Sequence, residues 1–260
     1  AQPRKPGISE LEYQLRNWRV FDWLGGGRLV EAHCHDLDVM DWAMNAHPAE
    51  CNGMGGRTVL SSEPRFGTDF DHHFRTLLDS GLPALAEQKA AGVIAGYGIG
   101  VNGVDICLTT LHHADLDAIL LAGRYTLADQ SALPELLPEC MRRNVAVVLG
   151  GPFNSGILAT GAHPAGGAPA YFDYAPAPPA VVARVEALEA VCRVHGVSLA
   201  AAALQFPAAH PAVAVVLAGA RSRAELTGDL ALARAPIPPG LWVELRTRGL
   251  VDAGAPLPEH

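Results

Sequence analysis

The chain has 260 residues, nearly half of them hydrophobic (49%) and few aromatic (6%), so it can bury a substantial core as one large domain or two smaller ones. Its net charge of −8 argues against nucleic acid or an anionic membrane as a main partner. Apolar runs such as Val213 to Ala220 are far too short to cross a bilayer. Nothing at the start reads as a secretion signal. The five cysteines (Cys34, Cys51, Cys107, Cys140 and Cys192) are odd in number and scattered, without CxxC spacing, so reduced thiols in a cytoplasmic protein are expected.

The text changes style near residue 75. Before it come most of the tryptophans and a Gly/Ser/Asn-rich tract from Asn52 to Thr68 with little apolar period. The most distinctive string is WLGGGRLVEAHCHDLDVMDW at 23–42. Glu31 and His35 are spaced by four, which places them on one face if the segment is helical, so the carboxylate could orient the imidazole and tune its basicity. A polar pair capping a helix over Asp38–Met44 satisfies the same residues. His33 and His35 with Asp36 and Asp38 also have the look of a metal-binding HxH pair. Gly53-Met54-Gly55-Gly56 lacks the strand and helix that a nucleotide-binding glycine motif requires.

After residue 75, short apolar runs alternate with amphipathic stretches. Strands are expected over Ile94–Ile99, Asp117–Leu121, Val145–Leu149 and Val213–Leu217, and helices over Leu77–Ala91, Val104–His112, Ala132–Asn144, Val181–His195 and Ser222–Ala233. Gly92 and Gly196 stand where helices must end in the left-handed conformation. Ser222 with Glu225 three residues on is a capping pattern. Tyr171–Pro179, with its prolines, is expected as an ordered loop. The alternation implies βαβ units and a parallel sheet.

Several strings occur in order: GYGIGVN (96–102), LLAGRYTLADQSAL (120–133), GGPFNSGIL (150–158), YFDYAPAPP (171–179), AAALQFPAAHPAV (201–213) and VVLAGARSRAEL (215–226). Together, residues 74–260 resemble the C-terminal half of the aldo-keto reductases, most similar to the D-threo-aldose or L-fucose 1-dehydrogenase branch. The resemblance implies an α/β fold, a partial (β/α)₈ barrel equivalent to strands five to eight, and an NAD-linked oxidoreductase of aldoses. Active sites of such barrels occupy the C-terminal ends of the strands. By this resemblance Asn102 would hold the nicotinamide carboxamide. Gly151, Pro152, Phe153, Asn154, Ser155 and Gly156 would lie along the pyrophosphate, and Gly219, Arg221 and Ser222 would meet the adenosine phosphate. A tight turn at 150–156 and a solvated Arg221 are the plainer readings of those residues alone.

Three departures matter. Gly150 stands where many members place an aromatic ring, and Ala122 near a usual glutamine. Glu225 occupies the position of an arginine that contacts an NADP phosphate, which favours NAD over NADP. The family's catalytic tetrad (Asp, Tyr, Lys, His) belongs to the first four strands, and no residue here carries over to its Tyr or Lys. Asp71-His72-His73-Phe74 resembles only the tail of the motif after the fourth strand.

Residues 1–73, by the 23–42 string, resemble part of the C-terminal domain of the glucose–fructose oxidoreductase/inositol dehydrogenase (Gfo/Idh/MocA) family, an α+β fragment. That likeness implies a sugar site with Glu31 and His35 as its catalytic pair. The HxH pair is similar instead to metal-dependent amidohydrolases, which need further ligands at later strand ends. The two stretches together read as a fusion of sugar-oxidoreductase fragments: either an active sugar dehydrogenase, or a truncated relic that at best binds a nucleotide. The expected partners are a small sugar and a second copy of the chain that completes the barrel, with aggregation as the other outcome of open strand edges. Nucleic acid and membrane are not expected partners.

Overall fold

The computed structural model describes residues 74–258, apart from positions 76 and 221. All of the expectations placed on residues 1–73, including Glu31, His33 and His35, lie outside the described residues, as does Arg221.

The described chain enters through a π-helical turn at Leu77–Gly81 and continues as helix α1, Leu82–Ala90. A single helix over Leu77–Ala91 is therefore corrected to a π-helical turn followed by a nine-residue α-helix. Pro83 explains the junction: it lacks an N–H and is tolerated only in a first helical turn. Gly92, at φ +73°, then stops the chain in the left-handed conformation.

Strand β1 (Gly98–Val101) begins four residues later than the apolar run at Ile94 suggests. Side-chain bonding accounts for the delay, because the Tyr97 N–H donates to Asp117 Oδ2 (2.9 Å) rather than to a neighbouring strand. At Gly98 a Cβ would sit 2.0 Å from the Ala118 carbonyl oxygen, so glycine is what lets the strands approach there. Then follow α2 (Val104–His113), β2 (Ala118–Ala122), α3 (Leu136–Arg143), β3 (Ala146–Gly150), the short α4 (Ile157–Thr160), a two-stranded hairpin of β4 (Tyr171–Phe172) with β5 (Ala175–Pro176), α5 (Pro179–Val194), α6 (Leu199–Ala208), β6 (Val213–Leu217), α7 (Arg223–Ala233) and α8 (Pro239–Thr247).

The larger sheet has the order β1-β2-β3-β6, every pair parallel. Gly100 faces Leu120, Leu120 faces Val148, and Val148 faces Val215, with a register shift in β3 between Val147 and Val148. Ile119, Leu121, Val147 and Leu149 turn to the helical side and are fully buried. There they join Leu111, Leu136, Leu137, Val185, Leu188, Phe206 and Trp242 in one apolar core. Each large side chain removed from water contributes roughly 1.5–3 kcal/mol, so this layer holds the helices to the sheet.

Cys107, Cys140 and Cys192 are all reduced and sit in this core, on α2, α3 and α5. Burial pushes their thiols up to about 12, about 11 and about 11.

Helix ends follow their chemistry. Asn144 closes α3 at φ +58°, and Gly196 follows α5 at φ +66°. The Ser198 hydroxyl accepts from the Ala201 N–H and starts α6, and Ser222 accepts from the Glu225 N–H and starts α7. Three helices, the short α4 and the longer α6 and α8, have no counterpart among the sequence expectations. Tyr171–Pro179, expected as a loop, folds back as the β4–β5 hairpin through left-handed Asp173 and Tyr174 (φ +52° and +64°).

Among the described residues no single helix is long and apolar enough to cross a membrane.

Candidate nucleotide-binding site at the strand C-termini

In a parallel sheet the chain leaves every strand on the same edge, so the segments after β1, β2, β3 and β6 meet there. Asn102 follows β1, Gly151–Gly156 follow β3, and Gly219 and Ser222 follow β6 on the way to α7, with Glu225 in its first turn. The described residues named from the sequence thus share one edge of the sheet.

The loop after β3 is built from left-handed residues: Gly151 (φ +60°), Asn154 (+46°), Ser155 (+58°) and Gly156 (+101°). Turn bonds hold it, from Asn154 N–H to the Gly151 carbonyl and from Gly156 N–H to the Phe153 carbonyl, each 3.0 Å. The amides of Phe153 and Ser155 meet no backbone carbonyl among the described residues. Successive backbone N–H groups in such a turn form a concavity suited to an anion. A Cβ built at Gly156 or at Gly219 would meet nothing within 4 Å, so both positions border open space.

Asn154 has a different part from the rest of its loop. It is buried (6% exposed), its Oδ1 accepts from the Thr126 hydroxyl, and its Nδ2 donates to the Gly123 carbonyl at 3.0 Å. The side chain therefore ties the β3 loop to the β2 loop and is committed inside the protein. What this loop offers a ligand is its backbone and Ser155.

The β2 loop is the organiser of this edge. Thr126 Oγ accepts from the amides of Ala128 and Asp129 (3.2 and 3.1 Å). Arg124 donates through Nε to the Asn102 carbonyl (2.7 Å), through Nη1 to Asp129 (3.0 Å), and through Nη2 to both carboxylate oxygens of Asp173 (3.1 and 2.9 Å). From the far side, Arg184 donates to the carbonyls of Leu127 and Leu250, and Gln130 to that of Leu250. Arg124, Thr126, Asp129 and Asp173 were missed by sequence reasoning. For Arg124, Thr126 and Asp129 the available signal was the set of polar residues inside the string 120–133.

Tyr125 lies beneath, fully buried, its ring 5.1 Å from Phe206 and 5.3 Å from His210. Burial, followed by the charge of Asp252, raises its phenol well above the ordinary range, and burial lowers His210. Neither is placed to exchange a proton with a ligand at the loop surface. No group of three or more His, Cys, Asp or Glu side chains stands close enough to hold a metal among the described residues.

A parallel α/β sheet with anion-receptive loops at its C-terminal edge is the architecture of nucleotide-binding barrels and open sheets. The sequence profile of the Aldo/keto reductase family matches residues 29–244, and the chain belongs to that family. The match includes Glu31, His33 and His35 and runs across the boundary expected at residues 73 and 74. Over 172 residues the chain is 46% identical to pyridoxal 4-dehydrogenase of Microbacterium luteolum, a stretch that covers 66% of this chain and 49% of that protein. Over 180 residues it is 38% identical to D-threo-aldose 1-dehydrogenase of a Pseudomonas species, with 69% and 54% covered. It spans about half the length of these curated relatives.

Among solved structures it is similar to the holo form of aldo-keto reductase AKR11C1 from Bacillus halodurans, at TM-score 0.51 and 25% identity, covering 68% of this chain and 57% of that one. Glycerol dehydrogenase AKR11B4 from Gluconobacter oxydans shares the fold at TM-score 0.52 and 18% identity, with 72% and 57% covered.

Proposed function

We propose that this chain carries the cofactor-binding part of an aldo-keto-reductase-type oxidoreductase, equivalent to strands five to eight of a (β/α)₈ barrel, and binds NAD in preference to NADP. The observation that supports it most is the convergence of Asn102, the left-handed 151–156 loop and the β6–α7 junction on one edge of a parallel sheet. The residues fit a dinucleotide. The backbone amides of the β3 loop suit a pyrophosphate, Gly156 and Gly219 leave room for close approach, and Ser222 and Glu225 at the start of α7 suit the adenosine end. Bound there, the nicotinamide supplies the hydride acceptor, and Asn102 orients it.

The substrate class in this reading is a small aldose or aldehyde, in keeping with the sugar and pyridoxal named for the two relatives. Glu31 and His35 remain the proposed proton-handling pair in the segment likened to Gfo/Idh/MocA. Because the family match begins at residue 29, that likeness and the fusion it implies rest on the 23–42 string alone. A dimer that pairs the β1 and β6 edges of two copies, in the cytoplasm, completes the reading.

Glu225 carries the preference for NAD. Titration of the intrinsic fluorescence of NADH should show binding at least about tenfold tighter than for NADPH, whose 2′-phosphate a carboxylate repels. Glu225→Arg should narrow the gap. Equal affinity for both would overturn the NAD assignment, and no binding of either would overturn the cofactor assignment itself. A chain that binds NADH yet oxidises no aldose would favour the relic reading over an active dehydrogenase.

A further inference from the structure

We propose that segment 250–252, which follows α8, is a buttress of the nucleotide-binding edge, and that Gln130 and Arg184 are the positioning residues that couple it to the β2 loop. The inference rests on the dinucleotide reading above and names what holds that site in shape.

The β2 loop needs support from outside. It runs from β2 to α3, over residues 123–135, without a strand or an α-helix of its own. Yet Tyr125, Thr126, Leu127 and Ala132 are fully buried. Buried backbone must find partners, and inside the loop the amides of Thr126, Ala132 and Leu133 do so. The Leu127 carbonyl is met by Arg184 of α5, whose Nε and Nη2 lie at 3.3 and 3.1 Å.

The same Nη2 donates to the Leu250 carbonyl at 2.6 Å, so one guanidinium sets the spacing of the two backbones. Gln130 repeats the join. Its Nε2 donates to the Leu250 carbonyl (3.2 Å) and its Oε1 accepts from the Asp252 N–H (2.8 Å). Segment 250–252 is itself firm. The Leu250 and Val251 amides bond back to the Leu245 carbonyl, Val251 is buried, and the Ala255 N–H closes a turn on the Asp252 carbonyl.

What the join holds is the site. Thr126, beside Leu127, donates to Asn154 of the anion-receptive loop, and Arg124 donates to the Asn102 carbonyl. Movement of Leu127 therefore reaches the pyrophosphate and nicotinamide ends together. The adenosine end has a support of its own, the cap bond from the Glu225 N–H to Ser222 at the start of α7. Gln130 and Arg184 act through the loop rather than on the ligand.

The test uses the full chain and three variants: Gln130→Met, which keeps the shape and removes both bonds, Arg184→Met and Arg184→Lys. NADH affinity by fluorescence titration should fall about fivefold in Gln130→Met, the scale of one neutral hydrogen bond. It should fall about tenfold in Arg184→Met, where a charged donor is lost. Arg184→Lys keeps the charge without the fork and should recover part of that loss. Amide exchange followed by NMR separates positioning from general destabilisation. In Gln130→Met the Asn154 and Gly156 N–H groups should exchange about fivefold faster, while the capped Glu225 N–H keeps its rate. Equal acceleration at all three would reduce the join to general stability and overturn the buttress. So would NADH affinity unchanged in Gln130→Met, which decides the matter alone if Arg184→Met fails to fold. With NADH bound by the unaltered chain, either result leaves the cofactor site standing. If the unaltered chain binds no dinucleotide, the cofactor reading fails and the buttress falls with it.

Discussion

The two ends of the parallel sheet solve opposite problems. At the N-terminal end the polar groups are satisfied by each other. Lys89 pairs with Asp117, which also receives the Tyr97 N–H, and Arg143 pairs with Glu139 and reaches Asp115. A cleft there of about 390 Å3 is lined by Leu82, Pro83, Tyr97, His112, His113 and Arg143, among others, and Arg143 already has its carboxylate partners. At the C-terminal end the side chains are bonded both to one another and to the backbone of the loops, and the Phe153 and Ser155 amides meet no backbone carbonyl among the described residues. One end is closed by ion pairs in water. The other is held open by buried bonds, and a binding edge needs that rigidity before any ligand arrives.

The comparison breaks first at Asn154. Its amide holds two loops together from a buried position, so Asn154→Ala removes the side-chain acceptor of the Thr126 hydroxyl and the side-chain donor to the Gly123 carbonyl and puts alanine at a left-handed φ. The expected cost is about 2–4 kcal/mol by urea denaturation. NADH binding should be lost with it, and a variant that kept full stability would show that the loops are not held this way.

At the opposite end Lys89→Met should move Tm by no more than about 2 °C, because the pair is exposed and Asp117 keeps its bond to Tyr97. A larger loss there than at Asn154 would invert the comparison.

The smallest effect is a matter of pH. The guanidinium groups of Arg142 and Arg143 hold the Glu139 carboxyl down to about 2, against an ordinary 4.5. A depressed carboxylate stabilises the fold above its ordinary value and ceases to do so as pH falls toward 2. The difference in Tm between the unaltered chain and Glu139→Gln should therefore be present at neutral pH and fade on acidification through that window. A difference independent of pH would assign the effect to packing.

The parallel sheet was legible because its strands are short runs of Val, Leu, Ile and Ala. Val213–Leu217 has the observed bounds, and Ala118–Ala122 and Ala146–Gly150 lie one residue from expectation. Helix α6 left no periodic trace. Ala201, Ala202, Ala203, Leu204, Phe206 and Pro207 are all buried, and a helix buried around most of its girth has no polar stripe to read. Helix α8 did carry a signal, Pro239 at its first turn and Leu241, Trp242 and Leu245 on one side. Its nine residues are too few for the period to stand out.

At the site, backbone positions were legible because glycine marks them. The Arg124 network was not, because two of its three acceptor residues are distant, a carbonyl 22 residues away and a carboxylate 49 residues away. Sequence pattern carries no record of partners that distant.

The three buried thiols give the molecule clocks of its own. Cys107, Cys140 and Cys192 sit on separate helices with 0%, 0% and 2% exposure, and with thiols pushed far above neutrality they react only when their helix opens. The rate at which a bulky thiol reagent claims each one therefore counts openings of α2, α3 and α5 separately, without any label or substitution. Equal rates would mean that the described part of the chain opens as one cooperative body. Unequal rates would rank its helices by the order in which they leave the sheet.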